Sequence, residues 1–342
     1  VTEVAAAMRC PTCSEPVGER DEFCEACGHR IRPAPPAEVT ADGAACTNCG
    51  AAATERDGDG YCLGCGHLRP RGTDHVEIDG GALAAVSDRG HRHRRNEDAV
   101  AIRSGESYAV LVVCDGVSQS ANPDQASAAA STAVADHVAA ALLREPGAAP
   151  EAIAAMLTAA VAAGQEAVLA VPRVEPRGYP DAPSTTLVAA VLRPEGCVVA
   201  NVGDSRAYWS DAAGTRQVST DDSLAQVAID TGVSPEDALA AADAHTLTRW
   251  LGADAPELAP HVATVSSADQ GRLLLCSDGL WNYFGTPELL HPLVTGGPPG
   301  ETVVDVSRRL VQAALDAGGS DNVTVAMALV TPPLPATPDT KE

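Results

Sequence analysis

Two short stretches of this chain end an apolar run on an acidic turn, and a third acidic turn opens one. Residues 111–118 read LVVCDGVS, residues 273–280 read LLLCSDGL, and residues 319–324, GSDNVT, lead into an alternating apolar segment. Runs of four to eight apolar and β-branched residues read as buried strands, and a glycine after the aspartate lets the backbone turn and bring its carbonyl close to a ligand. One such Asp-Gly is an ordinary loop leaving a strand. Two of them and the Asp321-Asn322 turn, with Glu97-Asp98 after a further polar turn, point to a convergent acidic site. Clustered carboxylates need a counter-charge, and hard divalent cations prefer oxygen ligands. The chemistry expected is that of a Mg2+ or Mn2+ centre.

A second set of ligand-type residues lies at the start. Eight of the 11 cysteines form four Cys-x-x-Cys pairs, Cys10/Cys13, Cys24/Cys27, Cys46/Cys49 and Cys62/Cys65, arranged as an internal repeat. Two thiolates on one tight turn meeting two from another match the tetrahedral demand of zinc, and metal binding replaces a core that so short a module cannot build. Two structural Zn2+ ions are expected, in ribbons at residues 8–32 and 44–70. Disulfides and iron or redox chemistry are the competing readings. Both modules resemble the double zinc ribbons found beside bacterial regulatory domains. Four cysteines per module make His29 and His67 surface residues rather than ligands. Cys114, Cys197 and Cys276 sit singly in apolar runs as small hydrophobes. Unpaired cysteines fit a reduced compartment, so a cytoplasmic location is expected.

The elements that must position these groups follow from patterning. Apolar residues make up 45% of the 342, aromatic residues only 3%, so the core is built from Ala, Val and Leu. A net charge of -23 excludes a general nucleic-acid binder, and no run of about 18 apolar residues marks a membrane span. The N-terminus lacks the basic-then-apolar pattern of a secretion signal. Residues 33–36 and 70–74 read as spacers, 76–332 as the main domain and 333–342 as a flexible tail. Strands are expected over 76–87 with a turn at Gly80-Gly81, and over 108–114, 187–192, 197–202, 206–210, 214–219, 257–265, 271–276 and 323–330, the last closing the sheet. Helices are expected over 126–143, 151–169, 224–242, 286–290 and 301–317. Hairpins and a helix pair, then more hairpins and a late helix, are not βαβ repetition. The fold class is α+β, with antiparallel sheets and helices outside.

Residues 80–332 resemble the metal-dependent protein phosphatase family, the PPM or PP2C group of serine/threonine phosphatases. The matching pieces occur in the family's order: SDRG…RNED at 87–98, VVCDGVS at 112–118, STTLVAA at 184–190, NVGDSRAY at 201–208, LTRWLG at 247–252, LLLCSDGLW at 273–281 and SDNVTVAM at 320–327. The resemblance implies a four-layer αββα sandwich and hydrolysis of phosphoserine and phosphothreonine in proteins by a metal-activated water. It implies that Asp115 bridges two ions, that the Gly116 carbonyl serves the second, that Asp278 and Asp321 complete the first, and that Glu97 acts through ordered water. Asp204 is placed near the metals, although a buried pair with Arg206 is an equal reading. Asp181 falls at the position of a third-metal ligand, with Ser184 where the family has glycine. Asp98 either orients water or caps a helix start or turn, and Asn322 holds its loop by an Asx-type bond.

Two departures bear on the chemistry. The bacterial pattern has an arginine three residues before the Asn of NED, and His93 stands there between Arg92 and Arg94. The substrate phosphate is then clamped by one of these arginines, each able to form a fork of two charge-assisted bonds, or by His93 if the loop is a turn, the remaining reading being a basic loop wholly in solvent. Val117-Ser118 follow Asp115-Gly116 where the family has His-Gly or Met-Gly, which removes the eukaryotic-type general acid. Phosphorylated proteins, and a Ser/Thr kinase or its targets, are the expected partners, with protein binding by the ribbons. The alternatives are a catalytically weak regulatory relative and a small-molecule phosphoesterase.

Overall fold

The computed structural model describes residues 71–172, 182–255, 258–266, 270–298 and 300–330, together with Arg9, Pro16, Cys46, residues 49–52 and 61–66, and Leu68. In chain order the elements are β1 (His75–Asp79), β2 (Leu83–Asp88), β3 (Asp98–Ser104), β4 (Ala109–Asp115), α1 (Pro123–Arg144), α2 (Pro150–Leu169), β5 (Ser184–Thr185), β6 (Leu187–Arg193) and β7 (Gly196–Val202). There follow β8 (Arg206–Asp211), β9 (Gly214–Gln217), α3 (Leu224–Asp230), α4 (Pro235–Leu239), β10 (Leu251–Gly252), β11 (His261–Ser266), β12 (Gly271–Cys276), α5 (Asp278–Phe284), α6 (Pro287–Thr295), α7 (Val303–Asp316) and β13 (Val323–Val330).

Two antiparallel sheets form, in the orders β1-β2-β13-β12-β8-β9 and β11-β7-β6-β4-β3, with a small β10-β5 pair beside them. Side chains alternate across a pleat, and here both faces of both sheets are covered. In β4, Leu111 and Val113 join the core between the sheets with Ala85, Trp209, Leu273, Leu275 and Ala326. Val110, Val112 and Cys114 point the other way, against Ala126, Ala130 and Val134 of α1 and Leu157 and Val161 of α2. On the opposite outer face Leu274, Val325 and Met327 pack with Leu280 of α5, Leu290 of α6 and Leu310 of α7. Three cores separate four layers, which is the expected αββα sandwich.

The same period of two positions the site. Counting along β4, Asp115 falls on the inter-sheet face after Leu111 and Val113. Asp98 lies opposite it in register, on the face that Val100 and Ile102 present to the core. Ser87 of β2 and Thr324 of β13 occupy the same end and face, joined at 2.6 Å through their hydroxyls. One end of the sandwich is therefore polar inside while its middle is dry.

Several expectations change. β3 is an additional strand, in a segment for which the sequence reading names no element. β13 does not close the sheet but lies in its interior, between β2 and β12. The 224–242 helix is two short helices. Asp278 opens helix α5 rather than a loop, two residues beyond the end of β12 and directly after the N-cap Ser277. Residues 71–74 are no spacer: Asp74 is buried, and its backbone carbonyl accepts from Arg89 N at 2.9 Å. Helices α1 and α2 are long and apolar enough to cross a membrane by length and composition, with 18-residue mean hydropathies of 1.3 and 1.6; here they form one layer on the second sheet.

Candidate active site

Strand ends and one helix start bring the acidic residues together. Asp115 closes β4; its N–H donates to Thr186 Oγ1 at 3.1 Å, and its carbonyl accepts from Thr186 N and Thr185 Oγ1, both at 2.8 Å. Gly116 follows with no room for a side chain. A Cβ there would come within 2.5 Å of Pro123 O and 2.7 Å of Glu97 O, so its backbone is held against the site as no other residue could be. Asp278 is the first residue of α5 and Asp321 sits in the turn before β13. Glu97 precedes β3, its carboxylate accepting from Ser118 Oγ at 2.6 Å.

These carboxylates act on one another electrostatically. Asp115 is pushed well above the usual carboxylate range, first by burial and then by the charges of Asp98, Asp278, Asp204 and Asp321. Asp278 rises to about 6 through burial and Asp321, although Asn282 and Asp115 hydrogen-bond it. Asp98 rises to about 7 through burial, offset by the Ser277 and Thr324 hydroxyls. Asp204 is also raised well above its ordinary value, by burial and then by Asp278 and Asp221. Burial raises Glu97 too, against the hydrogen bond from Ser118 and the nearby His93. Like charges forced together in a buried site are relieved by protonation or by a compensating cation.

Two buried oxygens, Asp98 Oδ1 and Asp278 Oδ1, have no hydrogen-bond partner. Carboxylates, a carbonyl and unpartnered acceptor oxygens fit hard divalent cations. Among the described residues only Cys46, Cys49, Cys62 and Cys65 bring three or more His, Cys, Asp or Glu ligand atoms all within 4.8 Å of one another. The carboxylates converge more loosely, as donors shared between ions with water in the remaining positions do. Asp115, Gly116, Asp278, Asp321 and Asp204 are the residues that would hold such ions, with Glu97 at the edge. Asp181 lies outside the described residues.

Arg206 does not pair with Asp204. Its guanidinium binds Asp221, 2.7 Å between Nη2 and Oδ2, and lies 3.7 Å from the centroid of the Trp281 ring. Trp281 in turn donates from Nε1 to the Asp204 carbonyl at 2.9 Å. The Asp204 carboxylate is thus left to the acidic cluster, and the sequence reading of a structural Asp204–Arg206 pair is replaced by Arg206–Asp221. Asp98 caps no helix: it begins β3 and accepts from Ser277 Oγ at 2.7 Å across the sandwich.

The basic loop after β2 is a turn, with Gly90 at φ 73. A Cβ on Gly90 would lie 2.1 Å from Asp321 O, so close approach as well as the positive φ requires glycine. The turn directs His93 inward, its Nε2 3.1 Å from Asp321 Oδ1 and its Nδ1 4.0 Å from Glu97 Oε2. Arg92 and Arg94 are exposed. Asn322 does more than brace its own turn. It accepts from Glu97 N at 2.7 Å and donates to the carbonyls of Arg89 and Arg95 at 2.7 and 2.9 Å, tying both ends of the basic loop. Its neighbour Asp321 was a sequence signal for the site; Ser118 and Ser277 offered only adjacency to Asp-Gly.

The second cysteine set also assembles. Cys46 and Cys65 Sγ lie 3.8 Å apart and Cys49 and Cys62 Sγ 3.5 Å, none of the four being in a disulfide. A sulfur tetrahedron around zinc, with Zn–S near 2.3 Å, has edges of about 3.8 Å. Four thiols at that spacing fit one structural zinc. Cys10, Cys13, Cys24 and Cys27 lie outside the described residues.

A two-sheet sandwich thus carries a carboxylate cluster at one end of its inner face. The chain belongs to the protein phosphatase 2C family, whose pattern matches residues 88–313. It is 32% identical over 252 residues to the serine/threonine protein phosphatase PstP of Mycobacterium tuberculosis, a match covering 72% of this chain and 44% of PstP. The chain thus spans less than half the length of that relative. The crystal structure of the serine/threonine phosphatase Stp1 from Staphylococcus aureus superposes with a TM-score of 0.61 at 27% identity, over 76% of this chain and 98% of that one. The catalytic domain of PstP in complex with two manganese ions gives 0.52 at 30% identity, over 72% and 97%.

Proposed function

We propose that this chain hydrolyses phosphoserine and phosphothreonine in proteins, using two Mn2+ or Mg2+ ions, and that it does so in the cytoplasm. The observation that carries the reading is the convergence of Asp115, Asp278, Asp321, Asp204 and Glu97 at one end of the sandwich, with two buried carboxylate oxygens lacking partners. Ions bound there supply the positive charge that draws in a phosphate dianion and activates the attacking water. The protein supplies rigidity. Asp115 is central to the shared ligand set, the Gly116 carbonyl is fixed by steric necessity, and the Trp281 indole fixes the backbone of Asp204. His93 faces the carboxylates from the position of the family's arginine, so it orients the phosphate at the inner side of the loop, with Arg94 at the rim and Arg92 in solvent.

Each cysteine module holds one structural zinc in this reading. Arg9 pairs with Pro16 as Tyr61 pairs with Leu68. Each pair brackets a knuckle, one residue before its first cysteine and three after its second, which supports the same build for the first module. The natural substrates are phosphoproteins, including a Ser/Thr kinase or its targets, and the modules contact protein. Turnover of a phosphothreonine peptide beside p-nitrophenyl phosphate, each with Mn2+, Mg2+ or EDTA, tests the reading. Metal-dependent hydrolysis favouring the peptide is expected; preference for the small ester, or activity indifferent to EDTA, would reject it.

A further inference from the structure

We propose that the second cysteine module forms one wall of the substrate entrance, with Tyr61 as a positioning residue that fixes the Arg94 guanidinium at the rim of the active site. The inference rests on the phosphatase reading above. Arg94 lies over the Tyr61 ring, 5.7 Å from its centroid, within the range at which a guanidinium is attracted to an aromatic face. Tyr61 immediately precedes Cys62 and is held by its bridge to Leu68, so the ring is presented by the knuckle itself. Arg94 immediately follows His93, whose ring meets Asp321. One bond along the loop therefore separates the group facing the carboxylates from the group facing the module.

The chain leaving the module is bonded into the same loop. Asn96 Nδ2 donates to Thr73 O at 3.2 Å, Arg89 N donates to Asp74 O at 2.9 Å, and Asn96 N reaches Asp74 Oδ1 at 3.4 Å. Arg71 pairs with Asp124 at the start of α1, 3.4 Å away. Both ends of the basic loop are thus tied to residues directly following the module, and its middle is touched by Tyr61. An exposed arginine loses several rotatable bonds of freedom when it binds a ligand; stacking on a fixed ring removes much of that loss beforehand. The ligand class for Arg94 is the phosphate or acidic flank of a phosphopeptide, which a guanidinium binds through charge-assisted hydrogen bonds.

The test uses the full chain, Mn2+ and one phosphothreonine peptide. Tyr61→Ala should raise KM about two- to five-fold, the Boltzmann factor of an exposed cation–π contact, with kcat near wild type. Tyr61→Phe, which keeps the ring face, should restore the wild-type KM. In an Arg94→Ala background Tyr61→Ala should add nothing, because residues acting through one contact are not additive. Leu63→Ala, on the same knuckle and 70% exposed, should leave KM unchanged. Zinc content should be equal in all variants. An unchanged KM for Tyr61→Ala, additivity with Arg94→Ala, an equal effect from Leu63→Ala or zinc loss from Tyr61→Ala would each overturn the proposal. A wild-type chain inactive on the peptide with Mn2+ would instead remove the phosphatase reading beneath it.

Discussion

Asp278→Asn should make the metal-free protein more stable and the metal-loaded enzyme nearly inactive. Burial and the charge of Asp321 raise the Asp278 carboxyl from 3.8 to about 6 in the folded chain. A group whose folded value lies above its unfolded one contributes stability at low pH that is lost as pH rises through the folded value. For Asp278 that loss develops between pH 3.8 and about 6 and is complete at pH 7, where the folded state bears about 3 kcal/mol of unfavourable charge. Asparagine removes the charge, keeps an oxygen for the Asn282 amide and gains a donor toward Asp115. In EDTA at pH 7 the variant should therefore melt about 6–12 °C above wild type, given about 2–4 °C per kcal/mol for a domain of this size. Below about pH 4 the difference should vanish. With Mn2+ the order reverses: wild type gains stability by mass action, while the variant, missing a charged ligand, gains much less and loses at least about a hundredfold in kcat/KM. Differential scanning fluorimetry across pH 3.5–8, with EDTA and with Mn2+, reads both halves. A metal-free variant less stable than wild type, or an equal Mn2+ shift in both proteins, would refute the reasoning.

Three further outcomes follow from the contacts around the site. Asn322→Ala removes three hydrogen bonds that tie residues 89–97 to the Asp321 turn, and should cost about 2–3 kcal/mol in urea denaturation while weakening Mn2+ binding; an effect below about 0.5 kcal/mol would mean that the loop is held elsewhere. Gly116→Ala places a Cβ within 2.5 Å of Pro123 O, so Mn2+-dependent activity should fall steeply even in protein that still folds, as judged by circular dichroism. His75 is raised above 6.5, chiefly by its hydrogen bond to Asp88, so its stabilisation is full below 6.5 and is lost as pH rises through the raised value. His75→Gln should flatten the stability profile above pH 6.5 in chemical denaturation, and an unchanged slope would contradict the pairing.

The acidic residues could be read from sequence because each sits where an apolar run starts or stops, and a buried strand leaves few other places for an aspartate. Asp115 and Asp278 are marked in this way, and the cysteine spacing marked Cys46, Cys49, Cys62 and Cys65 by the same local logic. Strand β3 escaped because its edge position leaves one side open and its sequence, DAVAIRS, mixes charge with short apolar residues. Helix α5 escaped because Asp-Gly reads as a turn until Leu280 and Trp281 are seen to bury against the first sheet. Partner choice was the least accessible property. Arg206 prefers Asp221 to the nearby Asp204 because β8 and β9 fold Asp221 back onto it, and Asn322 serves a loop more than 200 residues earlier in the chain. The inward direction of His93 follows from a turn fitted against Asp321, an arrangement that exists only once β2 and β13 pair.

The central claim is that these carboxylates hold a pair of divalent ions, and the most direct measurement is an anomalous-scattering map from crystals of the full chain grown with Mn2+. Two manganese peaks sharing Asp115 are expected, one also touching Asp278 and Asp321 and the other the Gly116 carbonyl. Manganese absent from this end of the sandwich, or bound without Asp115, would contradict it.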